Sequence, residues 1–218
     1  MKNPKAIVFD LDGTLIHSAP DLHAAANAML GTLGRSNLDL PTVISFIGNG
    51  VEVLVERTLN ATGGFDADLK KASIEMFLTF YARDMVTLTH PYPGVVSALE
   101  AFQGADVPMG ICTNKPTTPA REICDHFNLT RFFDVIEGAE QKQPKKPSPK
   151  PLFDCIAKLG VLPSEALYVG DSEIDFLTAR NAGVPFRLFA LGYLNAPLPE
   201  LAETDRFAYW ASHGISVV

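Results

Sequence analysis

The chain has 218 residues, 47% of them hydrophobic, and a net charge of −7 from 18 basic and 25 acidic side chains. This length suits one large domain or a core with a smaller insert, and the composition is typical of a globular protein. The acidic balance argues against nucleic-acid and anionic-membrane partners, because no broad basic surface can neutralise phosphates. No apolar run approaches the ~20 residues of a membrane helix, and the N-terminus does not resemble a signal peptide. Cys112, Cys124 and Cys155 lack metal-ligand spacing, so we expect reduced thiols in a cytoplasmic protein.

Near the N-terminus, the apolar run Ala6-Ile7-Val8-Phe9 predicts a buried parallel strand. Asp10 and Asp12 follow it directly, at the strand end where open α/β sheets place their ligands. Two carboxylates that point the same way repel each other, which favours a bound cation between them. A strand followed by an ordinary Asp-Gly turn explains these residues equally well. The pair alone leaves both interpretations open.

Between Pro20 and Val86 the sequence shows helical patterns and no convincing strand. The predicted helices cover about 20–34, 40–47, 51–59 and 66–86, the first of them capped by Ser18. Pro91-Tyr92-Pro93-Gly94 then breaks the chain. Four consecutive helices predict a small helical bundle inserted after the first strand.

Beyond residue 94, predicted helices and strands alternate along the chain. The helices cover 95–103, 118–127, 151–159 and 174–181, and the strands cover 109–112, 134–136, 166–169 and 186–189. This alternation indicates βαβ units, and therefore an α/β fold with a doubly wound, Rossmann-like parallel sheet.

Polar residues follow several of these strands. Thr113-Asn114-Lys115 ends the 109–112 strand, Lys145 and Lys146 precede the 151–159 helix, and Asp171 and Asp175 follow the 166–169 strand. The carboxyl ends of parallel strands share one edge of the sheet, so these side chains would gather near Asp10 and Asp12. Phosphoryl transfer needs such a set, with a nucleophile, a proton donor, a cation and donors for phosphate oxygens.

The same residues resemble the four motifs of the haloacid dehalogenase superfamily, in the right order. The matching elements are Asp10-x-Asp12-x-Thr14, Thr113, Lys146 before Pro147, and Gly170-Asp171-Ser172-x-x-Asp175. Within the superfamily, residues 12–22 and 47–57 resemble phosphoglycolate phosphatases. The resemblance implies a core strand order of 3-2-1-4-5, a catalytic core at 1–16 and 91–218, and a helical cap at 17–90.

The resemblance also implies roles for single residues. Asp10 would be the nucleophile that forms an aspartyl-phosphate, and Asp12 would be the general acid and then the general base. Thr113 and the Asn114 amide would hold phosphate oxygens, and Lys146 would neutralise Asp10 and the transferring group.

For the cofactor, the resemblance implies Mg²⁺. Its ligands would be Asp10, the backbone carbonyl of Asp12 and Asp171, with Asp175 in or near the shell behind them. Few protein ligands, completed by waters and phosphate oxygens, suit Mg²⁺. Gly48 and Asn49 would belong to a cap loop that reaches over the substrate.

Each role has a structural alternative. Thr113 can begin a turn, the loop lysines Lys145, Lys146 and Lys150 can be solvated charges, and Asp171 or Ser172 can cap a helix whose dipole favours Asp175. Gly48-Asn49-Gly50 can be a plain turn, and Arg57 can be a helix-surface residue instead of a substrate contact. His17 stands where the family usually has an acid, near the hinge between core and cap, and the tail beyond Leu194 departs from the phosphoglycolate phosphatase pattern.

The sequence therefore predicts a Mg²⁺-dependent phosphatase, monomeric or homodimeric, acting on a small phosphorylated metabolite, with 2-phosphoglycolate first. Alternatives are another small-metabolite phosphatase or a β-phosphoglucomutase-type enzyme, for which His23 lies one residue out of register. A haloalkanoate dehalogenase needs no second acid, so Asp12 argues against it. A non-catalytic phosphate-binding or signalling protein is the remote alternative. A receiver domain would carry its acceptor after the third strand and would have no helical insert.

Overall fold

The structure, a computed structural model, describes residues 3–140 and 143–217. The chain divides into two compact units, one formed by Met1–Ile16 with Pro91–Val218 and the other by His17–His90. We call them the α/β unit and the helical unit. The roles of catalytic core and cap for these parts of the chain stay predictions.

The strands and helices alternate along most of the chain. In order they are β1 (Ala6–Phe9), β2 (Ile16–His17), α1 (Ala19–Thr32), α2 (Leu40–Ile44), α3 (Val51–Ala61), α4 (Ala67–Asp84), β3 (His90–Pro91), α5 (Val95–Gly104), β4 (Met109–Pro116), α6 (Thr117–His126), β5 (Val135–Ala139), α7 (Lys150–Lys158), β6 (Ala166–Gly170), α8 (Glu173–Ala182), β7 (Phe186–Phe189) and β8 (Arg206–Phe207).

The central sheet has the order β5-β4-β1-β6-β7-β8, and its neighbouring strands are parallel. β1 lies between β4 and β6 because its four apolar side chains can all be buried there. The predicted order 3-2-1-4-5 is confirmed, and β8 extends the sheet beyond β7. The carboxyl ends of β1, β4 and β6 therefore lie side by side at one edge.

Both faces of the sheet are covered, as a doubly wound fold requires. Val8 belongs to an apolar cluster that includes Leu152 of α7 and Ala179 of α8. The next residue, Phe9, points to the opposite face, where its ring centroid lies 6.2 Å from that of Phe102 in α5. This alternation along β1 is the strand period of two, and it confirms the predicted α/β class.

In the helical unit, α1 packs against α2, α3 and α4. The Asp66 side chain caps α4 by accepting from the backbone N–H of Leu69 at 2.8 Å. The buried Asp21 of α1 accepts hydrogen bonds from the backbone N–H groups of Leu88 and Thr89 and from the Thr89 hydroxyl. These bonds tie the end of the segment to its first helix.

Several predicted boundaries are corrected. The predicted cap Ser18 makes no capping hydrogen bond, because its backbone is already helical, with φ −99° and ψ −8°. Helix α2 ends at Ile44 instead of residue 47, and α4 ends at Asp84 instead of residue 86. Strand β4 continues through Pro116, so Thr113 lies inside a strand and does not begin a turn. Strands β2, β3 and β8 were not predicted, since two residues carry no periodic pattern.

Other expectations concern the cysteines and the membrane. Cys112, Cys124 and Cys155 are buried free thiols, and burial raises the pKa of Cys112 and Cys124 to about 12. None of the helices in the described ranges is long and apolar enough to cross a bilayer.

Candidate active site

The loop after β1 presents Asp10 at the edge of the sheet. The backbone N–H of Asp10 still donates to the Val169 carbonyl of β6, so this residue is held against β6 directly after β1 ends. Gly13 then adopts φ +91°, and a Cβ there would collide with the carboxylate of Asp171. The glycine therefore lets the end of β6 approach the loop after β1.

Lys146 is the central cation of the site. Its side chain is only 2% exposed, and its Nζ lies 2.8 Å from Oδ1 of Asp10 and 2.6 Å from Oδ1 of Asp175. It also lies 2.9 Å from the hydroxyl of Tyr168. The ammonium donates hydrogen bonds to Asp175 and Tyr168 and forms an ion pair with Asp10. Burial opposes the charge of Lys146, but the two carboxylates outweigh it, so its pKa is raised.

The backbone of Lys146 is held by Asn114. The Asn114 side chain accepts from the Lys146 backbone N–H at 2.9 Å and donates to the Lys146 carbonyl at 3.1 Å. Of the other two candidate loop lysines, Lys150 is exposed and pairs with Asp154, and Lys145 is half-buried. Among these three, the structure therefore places Lys146 at the acids.

Asp175 lies at the start of α8 as part of its cap. The Ser172 hydroxyl donates to Oδ2 of Asp175 at 2.6 Å, and the backbone N–H of Asp171 lies 3.2 Å from the same oxygen. Burial alone would raise the pKa of Asp175, but Lys146, Ser172 and Tyr168 together lower it. Both of its oxygens are engaged by donors, which suits an anion that holds other groups in position. Asp175 therefore both takes part in the cap of α8 and pairs with Lys146.

Asp171 is buried and has two donors of its own. The Thr14 hydroxyl donates to its Oδ1 at 2.7 Å, and the backbone N–H of Tyr193 donates to its Oδ2 at 2.6 Å. Burial, together with the neighbouring carboxylates of Asp175 and Asp10, raises its pKa well above the usual range. Within the part of the chain that the structure describes, no ammonium or guanidinium group forms an ion pair with Asp171.

The charges of the site fit a divalent cation. One oxygen each of Asp10, Asp171 and Asp175 lie within 4.8 Å of one another. Within the described residues, the four acids Asp10, Asp12, Asp171 and Asp175 face two ammonium groups, Lys115 and Lys146, which leaves an excess of two carboxyl groups. Burial, together with the carboxylates of Asp175 and Asp12, raises the pKa of Asp10 to about 6, although Lys146 works against the rise. A divalent ion would balance the excess, and buried carboxylate oxygens are ligands that Mg²⁺ accepts.

A second ion pair joins Asp12 to β4. Lys115 Nζ lies 3.1 and 3.2 Å from the two carboxylate oxygens of Asp12, and its side chain is 4% exposed. The Lys115 backbone N–H donates to the buried Thr113 hydroxyl at 3.3 Å. Lys115 has no assigned role among the predictions from the sequence. Its signal was its place directly after Thr113-Asn114 at a strand end.

Two further side chains, Tyr168 and Trp210, support the acids and were not predicted from the sequence. The Tyr168 hydroxyl lies 2.8 Å from Oδ1 of Asp175 and 3.0 Å from the Cys112 carbonyl. On the other side, the indole Nε1 of Trp210 donates to the Thr14 carbonyl at 3.1 Å. A tyrosine within an apolar strand was the only sequence signal for the first contact, and nothing in the sequence pointed to the second.

The remaining candidates belong to the helical unit. Gly48 has φ +111°, within the turn that precedes α3. Arg57 of α3 lies 3.4 Å from the carbonyls of Ser45 and Phe46, so it fastens its own unit. His23 pairs with the Leu38 carbonyl at 2.8 Å. A substrate contact by Gly48, Asn49 or Arg57 stays a prediction.

Near the ends of the helical unit, the rings of His17 and His90 meet edge to face. Their ring centroids are 5.4 Å apart, with the rings inclined at 67°. Burial and the neighbouring His90 lower the pKa of His17. Its predicted effect on a hinge stays a prediction.

Comparison with known proteins decides the family. The model of the haloacid dehalogenase-like hydrolases matches residues 7–189, which include all four motifs. The chain belongs to the haloacid dehalogenase-like hydrolases. The predicted superfamily and the prediction of a hydrolase are therefore confirmed.

Relatives within the family are named phosphoglycolate phosphatase. The chain is 43% identical over 204 residues to such a protein from Cereibacter sphaeroides, covering 93% of both chains. It is 38% identical over 205 residues to phosphoglycolate phosphatase 1 of Pseudomonas aeruginosa, covering 75% of that protein. The predicted resemblance to this group is thus confirmed.

Solved structures agree on the fold. A predicted phosphoglycolate phosphatase from Haemophilus somnus superposes with a TM-score of 0.90 at 30% identity, covering 97% of this chain and 96% of that one. CbbY from Rhodobacter sphaeroides, solved with phosphate, superposes with a TM-score of 0.76 at 23% identity. That second likeness concerns the fold alone.

Proposed function

We propose that this chain is a Mg²⁺-dependent phosphatase that hydrolyses a small phosphorylated metabolite, with 2-phosphoglycolate as its substrate. The observation that carries the proposal is the buried Asp10 carboxylate at the end of β1, held 2.8 Å from the Lys146 ammonium with Asp12 two residues away. The substrate follows from the relatives named phosphoglycolate phosphatase, which cover 93% of the chain. The three buried thiols support a cytoplasmic place for the enzyme.

In the first step, an Asp10 oxygen attacks the phosphorus, and the bond from phosphorus to the leaving oxygen breaks. Asp12 gives its proton to that oxygen, so glycolate leaves as an alcohol and Asp10 carries the phosphoryl group. Lys146 beside Asp10 offsets the negative charge that builds up as the two anions meet. Thr113 and the Asn114 amide hold the phosphate oxygens.

In the second step, Asp12 takes a proton from water, whose oxygen then bonds to phosphorus. The bond from phosphorus to Asp10 breaks, and inorganic phosphate leaves. Asp12 is protonated again, so both acids return to their starting states. One residue thus gives a proton in the first half and takes one in the second.

Asp10, Asp171 and the backbone carbonyl of Asp12 would hold the Mg²⁺, with Asp175 behind them. The ion supplies charge compensation for the phosphate oxygens and the acids. Asp175 instead positions Lys146, because its Oδ1 lies 2.6 Å from that ammonium.

The test is phosphate release from purified protein with MgCl₂, measured for 2-phosphoglycolate, other small phosphomonoesters and β-glucose 1-phosphate. We expect the highest kcat/KM for 2-phosphoglycolate and no isomerisation of the sugar phosphate. Asp10→Asn should abolish turnover with the fold retained, whereas Asp154→Asn, which changes an acid of α7 beside Lys150, should keep it. Near-normal phosphatase activity in Asp10→Asn would overturn the mechanism, and a preference for another ester would overturn the substrate.

A further inference from the structure

Lys115 contacts two groups of the proposed mechanism: Asp12, which would transfer the proton, and Thr113, which would hold phosphate oxygens. Lys115 Nζ contacts both oxygens of Asp12, the residue that would protonate the leaving oxygen, and its backbone N–H donates to the hydroxyl of Thr113. The Asp12 side chain is 14% exposed, compared with 4% for Lys115. Asp12 is therefore the more exposed member of this ion pair.

Stability alone does not account for a second buried ammonium at this position. An ion pair removed from water gains little over apolar side chains of similar volume, since desolvation offsets the attraction. The structural cation is already Lys146, whose ammonium contacts Asp10, Asp175 and Tyr168. Lys115 adds a positive charge in direct contact with the acid that would protonate the leaving oxygen.

We propose that Lys115 determines specificity by binding a second anionic group of the substrate, a carboxylate on the carbon that carries the leaving oxygen. This inference rests on the proposed function, because it places the leaving oxygen at Asp12. In 2-phosphoglycolate the carboxylate carbon is bonded directly to that carbon, so an ammonium in contact with Asp12 is within reach of it. In the absence of substrate, Asp12 forms an ion pair with the Lys115 ammonium.

The preference follows from charge. A carboxylate that enters the site meets an ammonium already stripped of water, where the attraction is stronger than in bulk solvent. A substrate with a methyl group in its place offers that ammonium no second anion. A hydrogen bond to a charged group contributes about 1.5–3 kcal/mol, which corresponds to a preference of about 10- to 100-fold. The expected substrate class is therefore phosphomonoesters with an adjacent carboxylate.

The experiment compares 2-phosphoglycolate with ethyl phosphate, which has a methyl group in place of the carboxylate. We would measure kcat and KM for both esters with the unaltered protein, Lys115→Met and Lys115→Arg. The matched control is Lys150→Met, an exposed lysine that pairs only with its helix neighbour Asp154 among the described contacts. Thermal unfolding of each variant shows whether it folds. If Lys115→Met does not fold, Lys115→Arg, which keeps the positive charge, provides the comparison.

We expect Lys115→Met to lower kcat for both esters, because Asp12 loses its partner, and to lower the preference for 2-phosphoglycolate over ethyl phosphate in kcat/KM by about 10- to 100-fold, mainly through KM. Lys115→Arg should keep part of the preference, and Lys150→Met should keep all of it. Equal losses for both esters would show that Lys115 only positions Asp12, and would overturn the inference. So would an unchanged preference in Lys115→Met.

A binding measurement separates this inference from the proposed function. Titration calorimetry with Asp10→Asn, which cannot be phosphorylated at that position, gives Kd values for both esters with and without Lys115→Met. If no ester is hydrolysed but the carboxylate still binds more tightly through Lys115, the proposed function fails and the inference stands. If Asp10→Asn binds the two esters equally, the inference fails whatever the activity.

Discussion

The side chain of Asn114 holds the backbone of Lys146 from both sides, accepting from its N–H at 2.9 Å and donating to its carbonyl at 3.1 Å. The two residues are 32 positions apart in sequence and buried. One carboxamide therefore fixes where the loop before α7 delivers its ammonium group. The position of Lys146 depends on β4 as much as on its own loop.

We expect Asn114→Ala to lower the free energy of unfolding by about 1–3 kcal/mol, because two buried backbone groups of Lys146 lose their partners. The rate kcat should fall as well, since the ammonium loses its support. Urea unfolding and phosphate release measure the two effects. The control is Asn181→Ala, which removes an exposed hydrogen bond to the Pro147 carbonyl in the same loop. A loss in the control as large as in Asn114→Ala would contradict this account.

Among the loop lysines Lys145, Lys146 and Lys150, we expect Lys146→Met to lower the free energy of unfolding most. Removing one partner of a buried ion pair costs about 3–5 kcal/mol, because the remaining charges lose their compensation. Here both Asp10 and Asp175 would lose it. Chemical denaturation should show this loss together with a loss of phosphate release, whereas Lys150→Met should change the free energy of unfolding by less than about 1 kcal/mol. Equal stability of the two variants would refute the central role of Lys146.

Mg²⁺ should raise Tm more at pH 7.5 than at pH 5. Burial raises the pKa of Asp10 from 3.8 to about 6 without metal. The protonated Asp10 side chain therefore stabilises the metal-free folded state fully below pH 4, and this stabilisation is lost as pH rises through 6. The ion binds the ionised carboxylate, and protons compete with it at low pH. Thermal unfolding with and without MgCl₂ at both pH values measures the difference. A Tm shift that is independent of pH would argue against Asp10 as a ligand.

Asp171→Asn and Asp175→Asn should act in opposite ways. The pKa of Asp171 is raised by burial and by like charges, so a neutral side chain should preserve or increase the stability of the metal-free protein while removing the response of Tm to MgCl₂. Asp175 is an anion paired with Lys146, so Asp175→Asn should destabilise the protein. Thermal unfolding of both variants, with and without MgCl₂, makes the comparison. A full response in Asp171→Asn would exclude that residue as a ligand.

The sheet and the gathering of the acids could be predicted because both depend on short-range patterns. The apolar run Ala6–Phe9 indicates a central strand, and parallel strand ends share an edge, so Asp10, Thr113 and Asp171 had to lie near one another. The resemblance to a known superfamily then distinguished Lys146 from its neighbours. Neither step needed side-chain geometry.

The partners of long or hydroxyl-bearing side chains could not be predicted in the same way. Lys115 reaches Asp12 across 103 positions, and the Tyr168 hydroxyl finds Asp175 beyond the end of its own strand. Such contacts depend on rotamers and on the packing of neighbouring strands, which hydrophobic periodicity does not encode. The two-residue strand β8 escaped prediction for the same reason, because only its neighbour β7 makes it a strand.

Trp210 adds an element of timing to the site. Its indole holds the Thr14 carbonyl, and the hydroxyl of Thr14 holds Asp171. During synthesis the early parts of a chain begin to fold before the later parts exist. The hydrogen bond from Trp210 to the loop after β1 can therefore form only after residue 210 has been synthesised. A chain interrupted earlier would contain every acid of the site without the indole that steadies them. The support of Asp171 therefore joins two parts of the chain, 196 positions apart, that are not synthesised at the same time.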